Sequence, residues 1–172
     1  MRQEDGAGSS DLQTQAVYRM LESDLLRAHG RPDEALSRAL SGVEVWRSMY
    51  QPHYAIECYA RAFDAALEAG NIEGAEEALH GLESLEPIER RQLGEAHAHR
   101  FRGRLAALRG EDPHPHFTAA EELFRGIGYV HALAVTLAEH AECGGGGADE
   151  ARAIFERLGA RPWVDRLDAQ LV

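Results

Sequence analysis

The sequence contains no lysine. All 18 basic residues are arginine, set against 29 aspartates and glutamates, for a net charge of −11. A chain of that sign repels phosphate backbones, and gripping them takes a basic stripe that releases counterions. Direct nucleic-acid binding is therefore not expected. Cysteine is scarce as well: Cys58 and Cys143 stand far apart with neither metal nor redox spacing, so both are expected as reduced thiols. No apolar run approaches the roughly 20 residues of a membrane span, so no membrane segment is expected. Residues 1–10 lack the basic-then-apolar pattern of a secretory signal and are expected to form a flexible lead-in to a cytoplasmic protein. The few β-branched residues sit inside helical patterns, and none builds the alternating run of a half-buried strand.

What remains is ordinary for a soluble globular chain: 44% apolar and 27% charged residues. A chain of 172 residues can bury a sizeable core as one domain, and residues 11–172 are read as a single one. Gly30, Gly70, Gly110 and one of Gly144 to Gly147 each close one helix-like stretch and open another, at a spacing of about 40 residues. That period marks helical hairpins, each burying its apolar face on a neighbour.

Apolar periodicity predicts helices from Asp11 to His29 (Leu12, Ala16, Val17, Met20, Leu21, Leu25, Leu26), from Pro32 through Trp46, and from Tyr54 to Ala69. Further helices are predicted at about Glu73 to Leu85, Glu89 to Arg109, Phe117 to Phe124 or beyond, Tyr129 to Glu142, and Asp149 to Leu158, with a tail helix around Trp163 to Leu171. Glu111 to His116, with two prolines, reads as a longer loop, and Gly144 to Gly147 as a linker-like turn.

A small residue follows three of the turn glycines at a fixed offset: Ala35 after Gly30, Ala75 after Gly70, and Ala151 after Gly146. In the second unit Tyr59, Gly70, Ala75, Leu79 and Pro87 fall where the tetratricopeptide repeat places an aromatic, a turn glycine, a small residue, a large apolar residue and a terminating proline. The chain resembles that family. The resemblance implies an all-α, right-handed superhelix of about four antiparallel hairpins with a short C-terminal capping helix. The third unit departs from the pattern, with Pro115 in the small-residue place. The stretch from His116 to Glu142 and that from Ala148 to Arg166, with Phe155, Leu158, Gly159, Ala160, Pro162 and Trp163, resemble the C-terminal repeats of bacterial ATPase-containing LuxR-type transcriptional regulators and ATPase-linked adenylyl cyclases. By that resemblance the repeats sense a ligand or partner and pass the signal to an effector. The chain carries no Gly-Lys-Ser/Thr phosphate loop and no basic recognition helix, so it is expected to be a free-standing sensor or part of a larger protein.

Sites for chemistry are few. His97 and His99, two apart on a helix, point about 200° apart and cannot chelate one ion. His114 and His116 share a predicted loop without further ligands, and His140 and Cys143 form at most half a site. There is no Gly-x-Ser-x-Gly elbow and no carboxylate pair marked for acid–base work. Neither enzymatic activity nor a metal or cofactor is expected. The expected function is a non-enzymatic protein-interaction and regulatory module that holds a peptide or helix in a concave groove. A small-molecule sensor and a self-associating structural domain, such as a homodimer, are the alternatives. The first helices of the hairpins would expose Met20, Asp24, Glu57, Asp64, His97, Arg100, Arg104 and His140 to that groove, acidic in one half and basic in the other. The basic half draws on a cluster of Arg90, Arg91, Arg100, Arg102, Arg104 and Arg109 against Glu89 and Glu95.

Overall fold

The computed structural model describes residues 11–170; the predicted lead-in 1–10 and the end of the tail helix at Leu171 lie outside them. The described residues are helical, with no strand among them. Nine α-helices follow one another: α1 (Leu12–Ala28), α2 (Pro32–Ser48), α3 (Ile56–Glu68), α4 (Ile72–Glu83), α5 (Pro87–Arg109), α6 (His114–Ile127), α7 (Val130–Glu142), α8 (Ala148–Leu158) and α9 (Arg161–Gln170). A 3-10 turn, Pro52–Ala55, precedes α3. None of these helices is long and apolar enough to cross a membrane. The chain divides between Arg91 and Gln92 into two compact units. Arg91 is where α5 leaves helical geometry, with φ 51° and ψ −173°.

Local chemistry sets the boundaries. Asp11 caps α1 by accepting from the Gln13 N–H at 3.1 Å. Asn71 caps α4 by accepting from Gly74 N–H at 2.8 Å. Pro32, Asp33 and Glu34 start α2 as a preset φ and two anions at the positive helix end. Gly30 and Gly70 take left-handed φ of 70° and 71°. The residue after each then donates back across the helix end, Arg31 N–H to Leu26 O at 2.9 Å and Asn71 N–H to Ala66 O at 2.8 Å.

In the first unit consecutive helices pack pairwise, α1 on α2, α2 on α3 and α3 on α4. Small residues allow the close approach. Ala16, Ala35, Ala39, Ala62, Ala65, Ala66 and Ala75 are fully buried, as are Phe63 and Leu82. A Cβ on Gly81 would lie 2.5 Å from the Tyr59 ring, so the glycine makes room for that aromatic. In the second unit α7 lies at the centre, buried from Ala132 to His140, and packs on α6 and α8. Its core joins Phe124, Leu133, Leu137, Ile154 and Phe155 to Val164 and Leu167 of α9.

Three expectations are corrected. The predicted loop Glu111 to His116 is helix from His114 onward: Asp112 Oδ1 accepts from the His114 N–H at 3.0 Å, and Pro115 falls in the first turn, where a missing N–H costs no hydrogen bond. Gly144 to Gly147 is not a spacer, because Gly145 lies under the His140 ring and Gly147 against Leu137. Finally, much of the apolar periodicity of α1 faces outward: Val17, Leu21 and Leu25 are 46%, 60% and 59% exposed.

Candidate functional site

The charges singled out in the sequence are engaged within their own units. In the first unit Asp24 accepts from Arg61 Nε at 3.0 Å and Glu57 from Arg61 Nη1 at 2.8 Å. Asp64 lies 3.7 Å from Arg27, which also holds Glu68 through two hydrogen bonds of 3.0 and 2.6 Å. Burial works to lower the pKa of both guanidiniums. The Glu68, Asp64 and Asp24 carboxylates around Arg27, and Asp24 and Glu57 around Arg61, outweigh it and raise both above the ordinary arginine value. Met20 is half-buried on the same helix. The expected acidic half is thus a pair of ion-pair networks that tie α1 to α3, each holding two carboxylates on one arginine and so remaining net negative.

The expectation that His97, Arg100 and His140 are exposed is corrected. Arg100 and Glu139 form a buried bidentate pair at 2.7 and 2.7 Å, each side chain 4% exposed. Arg104 lies 3.4 Å from Glu139 and 3.3 Å from Glu142, and Arg166 of α9 reaches Glu142 at 2.6 Å. The reason is α7: buried from Ala132 to His140, it carries Glu139 inward, and a carboxylate taken from water needs a geometrically matched cation. His97 is buried beside Phe101, Phe124 and Tyr129, with ring centroids 5.7, 5.0 and 6.5 Å away.

His140 is the centre of a second polar constellation that the sequence did not signal. Its Nδ1 lies 2.6 Å from Glu121 Oε1, its Nε2 lies 2.9 Å from His114 Nδ1, and Phe117 stacks on its ring at 5.2 Å. His116, on the same α6 turn, faces His99 with ring centroids 6.0 Å apart. Burial, then the nearby Arg102 and His116, pushes His99 below the ordinary imidazole value. Both nitrogens of His140 are used inside the chain of bonds, and no group of three or more His, Cys, Asp or Glu among the described residues is placed to hold a metal. Spacing could not reveal this arrangement, because its members stand 19 and 26 residues apart.

The surface best suited to a partner lies in the first unit. At about 100° per residue, Thr14, Val17, Tyr18, Leu21 and Leu25 share one arc of α1 roughly 100° wide, and that arc holds no charged residue. Every charge of α1 is turned elsewhere: Arg19 to Glu22, Glu22 to Arg38, Asp24 to Arg61 and Arg27 to Glu68. The arc runs into an open cavity of about 470 Å³ lined by Thr14, Val17, Tyr18, Leu21, Trp46 and Tyr54, with Gln13 and the Asp11 carboxylate also in its wall. Trp46 and Tyr54 pack at 4.9 Å to form its aromatic wall. A signal for this surface exists in the sequence, since apolar residues at 16, 17, 20, 21, 25 and 26 span more of the helix than one core-facing stripe requires.

The thiols offer little chemistry. Burial pushes Cys58 up to about 12, so it holds its proton at neutral pH. No protein-family model and no solved structure matches the chain.

Proposed function

We propose that the chain is a non-enzymatic, tetratricopeptide-like interaction module of a bacterial signalling or transcription-regulation system, its hairpins stacked as a right-handed superhelix. The binding surface in this reading is the uncharged outer arc of α1 and the adjoining Trp46–Tyr54 cavity, and the occupant is an amphipathic helix of another protein. The observation that carries it is the arc itself. Val17, Leu21 and Leu25, at i, i+4 and i+8, form the ridge that an incoming helix packs against, and an aromatic-walled cavity beside a ridge suits a large anchoring side chain. Each charge of α1 is held by an opposite charge, which leaves apolar contact along the arc as the main source of affinity.

The test uses the full chain and its Leu21→Glu/Leu25→Glu variant. Both positions are more than half exposed, so stability should stay within about 0.5 kcal/mol. A partner captured from bacterial extract, identified and purified, should bind the variant at least about tenfold more weakly, or roughly 1.4 kcal/mol. Equal binding by both proteins would remove α1 as the interface. The cavity size favours a second reading, a small-molecule sensor, because about 470 Å³ lies within the usual range for ligand pockets. A metabolite that quenches Trp46 emission in the full chain, and fails to do so in a Tyr54→Ala variant, would support that reading instead.

A further inference from the structure

We propose that Glu121, His140 and His114 form a proton-operated latch that holds the first turn of α6 on α7 while the imidazole pair is at most singly charged and releases it when both rings are charged. With His140 neutral, its Nδ1–H donates to Glu121 and its Nε2 lone pair accepts from the His114 Nδ1–H. His114 is exposed, and a single proton added at its Nε2, the nitrogen not used in the bond to His140, leaves the chain of bonds intact. A second proton must go to His140 Nε2. That nitrogen then becomes a donor facing another donor 2.9 Å away, between two cations, and the bond between the rings is lost.

The surroundings make this pair the point of sensitivity. On α7, Glu139 is engaged by Arg100 and Arg104, and Glu142 by Arg104 and Arg166. On the α6 side Asp112 caps the His114 N–H, and Glu121 is the carboxylate in contact with the imidazoles. From α5, His99 faces His116, which stands one residue before Phe117. The turn after α7 contributes Cys143 and Gly145. A Cβ on Gly145 would lie 2.1 Å from His140 Cδ2 and 2.3 Å from its Nε2, so the ring is clamped between backbone and the Phe117 face. A ring so confined cannot rotate to find another acceptor. What gives is the segment Asp112 to Phe117, and its departure uncovers Phe117, which is fully buried in the closed state. His99 acts in the same direction. Because its folded-state value lies below that of a free imidazole, its contribution to stability is complete above the free value and is lost as pH falls through the folded one.

The experiment measures amide exchange of His116 and Phe117 in the full chain at pH 7.5 and 5.0, corrected for intrinsic exchange chemistry, with side-chain NMR titration of the histidines. Wild type should open at least tenfold more often at pH 5.0. His114→Gln, whose amide still donates to His140 Nε2 but does not titrate, should hold the increase within about twofold. Glu121→Gln, which removes the nearby anion, should move the midpoint of opening. His99→Gln should leave most of the acceleration in place. Equal acceleration in wild type and His114→Gln, its loss in His99→Gln, or none in wild type would each overturn the latch.

Discussion

Tyr50 does at the end of α2 what glycine does at the ends of α1 and α3. It takes φ 55°, and the next residue closes the helix, Gln51 N–H donating to Trp46 O at 3.1 Å. Non-glycine residues are strained in this region by roughly 1–2 kcal/mol, and Tyr50 is 94% exposed, so little packing offsets the strain. Glycine would relieve it while losing part of the gain to greater freedom in the unfolded chain. Tyr50→Gly should therefore raise stability by about 0.5–1 kcal/mol, read as a higher urea midpoint at unchanged m-value. A lower midpoint would show that the ring makes a stabilising contact. The same residue explains how the sequence shows its period. Glycine marks the closures at Gly30, Gly70 and Gly110, while the one between Gly30 and Gly70 is written in tyrosine. In the first unit the closing glycines are therefore spaced two helices apart, whereas in the second Gly110, Gly128, Gly144 and Gly159 follow the ends of four successive helices.

At the scale of the element, α7 decides the electrostatics of the second unit. Once it is buried from Ala132 to His140, Glu139 is committed to the interior, and Arg100 of α5 is the cation that meets it at 2.7 Å through both guanidinium arms. Removing one partner strands the other. Arg100→Met alone should cost about 3–5 kcal/mol, whereas Arg100→Met/Glu139→Leu should be close to neutral or stabilising. Urea denaturation of the two variants checks this, and equal losses in both would mean that the pair contributes beyond its own neutralisation. Helix existence and order were legible from apolar periodicity in α1 to α9, because a 3.6-residue period survives whatever surrounds it. Which charges would be buried was not legible, because Arg100 and Glu139 are 39 residues apart and nothing local distinguishes them from Arg102 or Glu142. The start of α6 was hidden by the composition of its first turn. His-Pro-His reads as loop until the Asp112 carboxylate is seen to accept from the His114 N–H just before the first turn.

Over the whole molecule the first and last described helices are treated differently, and that contrast bears on where association occurs. α1 leaves an uncharged apolar arc open in the first unit. α9 is drawn into the core of the second: Val164 and Leu167 are buried, Trp163 stacks on Phe155 at 5.2 Å, and Arg166 lies over the Trp163 ring at 4.9 Å. Arg166 also pairs with Glu142, and Arg152 of α8 with Asp168. Packed in this way, α9 covers an apolar face of α8, Ile154 and Phe155 included, that would otherwise meet solvent. Deleting residues 161–172 removes two buried side chains worth roughly 1.5–3 kcal/mol each and bares Ile154 and Phe155. The truncated chain should melt at a lower temperature and sediment as a dimer or larger species. The Leu21→Glu/Leu25→Glu variant, which alters only the open arc, should melt as the parent does and sediment no larger than it. If the truncated chain keeps both the parent's melting temperature and its mass, α9 is dispensable to the fold. If α1 substitution rather than truncation changes the mass, the open arc, and not the α9 end, is where copies of the chain meet.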